Sequence, residues 1–145
     1  MPADDPNAHI ASIEVAAPAD VAFAYMADGM NQSHWALGSW DRRDEGDGLT
    51  SGISLFDGKR LYVRLATDAR LRLVDYSTGA EADALRQLVQ ARIVDGAELG
   101  RDPGTSVVTL VVWRHASQTP ESWARTYHAF RTEVHLIKAR VEGLL

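Results

Sequence analysis

The stretch "SWARTYHAFRTEVHLIKARVEGLL", from Ser122 to Leu145, holds the first groups of this 145-residue chain that could do chemistry. At about 100° per residue, Trp123, Phe130, Val134, Ile137, Val141 and Leu144 share one helical face, with Tyr127 at its edge. Glu133 lies on the flank of that face, near Thr126 and Arg140. A carboxylate at the edge of a cavity can anchor a ligand hydroxyl or take a proton, because burial raises its pKa. The alternative is a boundary residue pointing to water. His128 and His135 stand a heptad apart on the same helix, a spacing that invites a metal. Both fall roughly opposite the apolar stripe, with no third ligand and no His-Glu-x-x-His pattern, so they are expected on a solvated face without a metal.

Three further sites of charge lie in extended segments. In "RLRLVDYS", Asp75 alternates with Tyr76, so one faces the core and the other faces away. Asp75 shares a side with Leu71 and Leu73, which predicts that side as the inner one. A buried Asp75 needs a cation or hydroxyl partner; the alternative is a strand-end Asp before the turn at Ser77-Thr78-Gly79. Arg64 in "LYVRLA" and Arg114 in "LVVWRH" either point outward or meet a carboxylate-bearing ligand. The run "DRRDEGDG", Asp41 to Gly48, lacks the spacing of a calcium loop and reads as a solvated hairpin connection.

Several function classes drop out. The chain has no cysteine, which removes disulfides, thiolate metal sites and thiol nucleophiles. Its net charge is -5, with no basic patch to suit nucleic acid. No apolar run approaches a membrane span, and the start "MPADDPNAHI" has no apolar signal core, so a cytoplasmic location is expected. There is no G-x-S-x-G elbow and no phosphate-cradling glycine loop. No cofactor is expected.

These groups need a scaffold, and the pattern supplies one. "HIASIEV" alternates as a strand from His9 to Val15. Pro18 opens a helix that Gly29 is expected to end in a left-handed conformation, and a short second helix follows to about Leu37. Hairpin signals recur at Asp47-Gly48, Asp57-Gly58 and Asp95-Gly96, between segments rich in Val, Leu, Ile and Thr. "EADALRQL", Glu81 to Leu88, suits either a short helical insert or the start of a strand. Thr119-Pro120-Glu121 opens the long helix, to about Glu142. Strands grouped between helices predict an α+β fold with residues 1–8 as a flexible N-terminus and residues 9–145 as one domain.

The opening "IEVAAPADVAFAYMADGMNQSHW" resembles the start of the START-related superfamily, also called SRPBCC, which includes polyketide cyclase-like proteins. A first strand leads through Ala17, Pro18, Ala19, Asp20 and Val21 into two short helices ending near Trp35. The long helix after "VVTLVVWRHASQTPESW" matches the helix-grip arrangement, a curved antiparallel sheet wrapped around a long C-terminal helix. The resemblance covers nearly the whole chain from Ile10 and implies a cavity between sheet and helix. It transfers no catalytic residue.

The expected ligand is a small apolar or aromatic molecule. Trp35 is placed near the cavity mouth, Trp123 and Tyr127 on its wall, and Phe130 among the ligand-binding residues. Tyr76, Arg64 and Arg114 join the ligand-binding set. A cyclase/dehydratase-like enzyme is the alternative, with Glu133 and Asp75 as its acid/base groups. A co-chaperone-like interaction module is a third reading, and a homodimer stays open.

Overall fold

The computed structural model describes residues 5–143. Residues 1–4 of the expected flexible N-terminus, and Leu144 of the helical stripe, lie outside the described residues. Pro6 and Asn7 carry tertiary hydrogen bonds: Trp123 Nε1 donates to Pro6 O at 3.0 Å, and the Arg114 N–H donates to Asn7 O at 2.8 Å.

The chain runs β1 (Ala8–Val15), α1 (Ala19–Met26), α2 (Gln32–Trp35), β2 (Trp40–Gly46), β3 (Leu49–Ile53), β4 (Arg60–Asp68), β5 (Leu73–Gly79), β6 (Arg86–Asp95), β7 (Ser106–Trp113) and α3 (Pro120–Val141). The strands form one seven-stranded sheet in the order β1-β7-β6-β5-β4-β3-β2, antiparallel throughout. Every neighbour follows in sequence except β1, which closes against β7. α3 packs against β1, β7 and α2. This is the helix-grip α+β architecture.

Period-2 burial marks the inner face most clearly on β7. On β7, Ser106, Val108, Leu110 and Val112 are buried and the residues between them are not. Val108 and Leu110, together with Val63, Val74, Tyr76 and Ile93, meet Val134 and Ile137 of α3 in one core. Thr119 accepts from the Ser122 N–H at 3.1 Å and Pro120 occupies the first turn, so α3 starts where the sequence indicates.

Four local expectations are corrected. On β5 the side chains of Val74 and Tyr76 are buried, so Asp75 lies on the other face with Leu73. The cause is Arg72, whose φ of 50° breaks the extended run before Leu73. Leu71 is therefore outside the strand and exposed, and its side chain does not set the inner face. "DRRDEGDG" is not only a connection: Trp40–Gly46 forms the edge strand β2, with two register shifts against β3. Its charge density suits an edge that must not pair with another chain. Gly29 does not take a left-handed φ; it opens a 3-10 turn, Gly29–Asn31, that the Asp28 carboxylate caps at the Met30 N–H. Asp95-Gly96 opens a 3-10 turn rather than a two-residue hairpin, and a Cβ on Gly96 would stand 2.7 Å from the Thr105 carbonyl oxygen. "EADALRQL" resolves into a turn followed by the start of β6.

Arg42 on β2 ties the short helices to the sheet. Its Nε donates to Gly29 O at 2.9 Å and its Nη1 to Ser39 Oγ at 2.8 Å. Its Nη2 donates to Gln32 Oε1 at 2.6 Å and to Thr50 Oγ1 at 2.8 Å. Arg42→Ala strips the buried Gln32 amide of this donor, and is expected to cost about 1–3 kcal/mol. Urea unfolding checks this; an unchanged midpoint contradicts it.

Candidate functional site

Between the sheet and α3 lies a cavity of about 480 Å³. Its inner part is built from buried residues of five elements: Trp35 from α2, Val63 from β4, Tyr76 from β5, Leu110 and Val112 from β7, and Glu133 from α3. Its outer part is built from exposed or half-exposed residues: Phe56, Lys59, Arg86, His115 and Arg125. The opening is therefore at the β3–β4 loop, the start of β6 and the first turns of α3.

Glu133 is 6% exposed, which resolves the choice left open by the helical wheel. The flank on which it sits is covered by α2, the element that follows the first 3-10 turn. One carboxylate oxygen accepts from the Leu37 N–H at 3.1 Å, and among the described residues Glu133 has no other hydrogen bond. Burial pushes its pKa up to about 8, against the opposing pull of the Leu37 N–H. The carboxyl is thus largely protonated near neutral pH and can donate as well as accept.

Two further polar groups share this interior. The Tyr76 hydroxyl donates to Met26 O at a long 3.4 Å, and burial above all holds it protonated. The indole of Trp35 meets the Tyr76 ring edge-on at 6.2 Å between centroids, and its buried Nε1–H has no hydrogen-bond partner among the described residues. Arg42 also reaches the cavity wall; burial lowers its pKa to about 10, so it stays charged at neutral pH. An apolar chamber with under-satisfied donors at its inner end can orient a ligand carrying an acceptor oxygen.

The structure brings together Trp35, Tyr76, Phe130 and Glu133 at the cavity. Trp35 forms the buried wall rather than the rim. The other expected site residues lie elsewhere. Asp75 is on the outer face of β5. Arg64 is exposed and donates to Asp47 O across the β2–β3 turn. Arg114 donates to Gln118 O at 2.9 Å and braces the approach to α3. Trp123 stacks on His9 of β1 at 3.8 Å, and Tyr127 meets the same ring edge-on at 4.9 Å, on the β1 side of the helix. Arg42 and Gln32 carry no sequence signal of a site. Arg42 sits in a charged run that reads as solvated.

His128 and His135 are exposed, and no cluster of three or more His, Asp or Glu side chains among the described residues could hold a metal ion. Purified protein is expected to carry no stoichiometric zinc, and His128→Ala to melt within about 0.5 kcal/mol of wild type, as surface changes do. Elemental analysis that finds one zinc per chain, lost in His128→Ala, overturns this.

The sequence matches no protein-family model and no curated protein. Solved structures do match. A START superfamily protein from Mycobacterium smegmatis superposes with a TM-score of 0.64 at 14% identity, covering 95% of this chain and 99% of that one. Zhui aromatase/cyclase from Streptomyces sp. R1128 gives 0.62 at 17% identity, covering 94% and 92%. The Aha1 dimer from Colwellia psychrerythraea gives 0.67 at 10% identity, covering 93% and 96%. The fold is the helix-grip fold that these START superfamily, aromatase/cyclase and Aha1 structures share. No helix among the described residues is long and apolar enough to cross a membrane.

Proposed function

We propose that this protein binds a small hydrophobic or aromatic molecule in the cavity between the sheet and α3. The observation that carries the reading is the chamber itself: about 480 Å³, with a lining surface that is mostly apolar and the buried Glu133 carboxyl among the polar groups of its interior. That size and composition are those of small-molecule sites, roughly 300–1,000 Å³ and mostly apolar. The START and aromatase/cyclase neighbours are proteins of the same fold, which supports a cavity-centred role. Native mass spectrometry of protein purified from its own cells tests the reading. A stoichiometric adduct, released on denaturation, is expected. A bare chain that also fails to take up N-phenyl-1-naphthylamine contradicts it.

A cyclase/dehydratase-like enzyme is the second reading, favoured by the raised pKa of Glu133. A carboxyl that titrates near neutrality can give a proton to a leaving hydroxyl and recover it from carbon. Asp75 cannot act with it inside the chamber from the outer face of β5, so Glu133 works with Tyr76 and the Trp35 N–H as neighbours. If this reading holds, Glu133→Gln retains binding and loses turnover.

A further inference from the structure

The opening of the cavity differs from its interior in charge. Lys59 from the β3–β4 loop, Arg86 from the start of β6 and Arg125 from α3 all contribute to the lining and are all exposed. None of the three forms an ion pair among the described residues. Arg125 instead lies over the Phe56 ring, 4.8 Å from its centroid. Arg60 is also cationic and lines the cavity, but it is committed to Asp41 at 2.8 Å and to the Ser51 hydroxyl. Among the described residues Asp57 is the acidic side chain of the rim, and its Oδ1 accepts from the Lys59 backbone N–H at 2.9 Å. His115 completes the rim; burial and the Arg86 charge hold its imidazole below the ordinary value.

A chain of net charge -5 therefore places three unpaired cations from three separate elements around the mouth of its apolar chamber. Solubility does not require this, since net charge is already well away from zero. Convergence on the mouth does have a consequence for ligands. An apolar body in the chamber brings any group at its outer end among these cations. At physiological salt the screening length is about 8 Å, so rim charges act on that end and little beyond it.

We propose that the ligand is an apolar or aromatic molecule bearing an anionic group, a carboxylate, sulfate or phosphate, bound with its anionic end at Arg86, Arg125 and Lys59. The inner end then meets Glu133 and Trp35, which favours an acceptor oxygen there. This rests on the cavity reading above and names the substrate class of the same site. Arg86 and Arg125 choose among ligands; the chamber supplies the apolar contact.

A matched pair of probes separates the two statements. 1-Anilinonaphthalene-8-sulfonate and N-phenyl-1-naphthylamine share one aromatic skeleton and differ by the sulfonate. Fluorescence titration is expected to show the sulfonate binding at least about tenfold more tightly, the size of one charge-assisted hydrogen bond. The preference is expected to shrink as salt rises. The double variant Arg86→Gln/Arg125→Gln, folded by circular dichroism, is expected to lose the preference and keep its affinity for the neutral probe. Equal affinities in wild type, or a preference that survives the double variant, overturn the anionic class while leaving the cavity reading intact. Binding of neither probe overturns both.

Discussion

Wild-type protein is expected to lose stability between about pH 5 and pH 9, and the loss traced to Glu133 is expected to vanish in Glu133→Gln. The ordinary value of a glutamate is 4.5, and burial raises that of Glu133 to about 8. Below the lower value both folded and unfolded states hold the proton, and the full stability is present. Between the two values the folded state keeps a proton that the unfolded state has released, so stability falls as pH rises. Above the folded value the buried carboxylate is charged and the cost is complete, of order a few kcal/mol. A glutamine has the same shape, stays neutral and can still accept from the Leu37 N–H. Glu133→Gln is thus expected to melt higher than wild type at about pH 9 and close to it at about pH 5. His115 titrates in the opposite sense, since its value is lowered, but it is common to both proteins and cancels in the comparison. Calorimetry across this range checks the prediction; parallel curves for the two proteins contradict it.

Ile137→Ala is expected to cost about 2–5 kcal/mol, a drop of roughly 10 °C in Tm. Ile137 is fully buried where α3 meets the sheet, and its loss leaves a void that neither side can close. Phe130→Ala is expected to cost less, because Phe130 is only half-buried and already faces the open chamber. Thermal melts of the pair report the ranking. A larger loss for Phe130→Ala would mean that the chamber is filled by the protein itself.

Much of this scaffold is legible in the sequence because its signals are local. Thr119 and Pro120 mark the start of α3, and the spacing from Phe130 to Val141 marks its inner face. Five strands follow from Val- and Leu-rich runs between turn residues. The site is less legible because it depends on pairings between distant segments. Glu133 is ambiguous on a helical wheel until α2 covers its flank. Asp75 reads as inward until the left-handed Arg72 removes Leu71 from the strand and sets the phase by Val74 and Tyr76. Trp123 belongs to the apolar stripe, yet its ring is taken by His9 of β1, a contact between residues at opposite ends of the chain. Arg42 is the clearest case of hidden information. Its charge suggests water, and only the fold surrounds it with Gly29, Gln32, Ser39 and Thr50.

The central claim is that the chamber between sheet and helix takes a ligand. Methyl-resolved NMR during titration with N-phenyl-1-naphthylamine tests it most directly, because methyl groups stand both inside and outside that space. Val63, Leu110 and Val112 line the chamber, whereas Val21, Leu71 and Leu99 are exposed away from it. Saturable shifts at the first three methyl-bearing residues, with Val21, Leu71 and Leu99 unmoved, are the predicted result. Shifts confined to exposed residues, or none at saturating probe, would contradict the account.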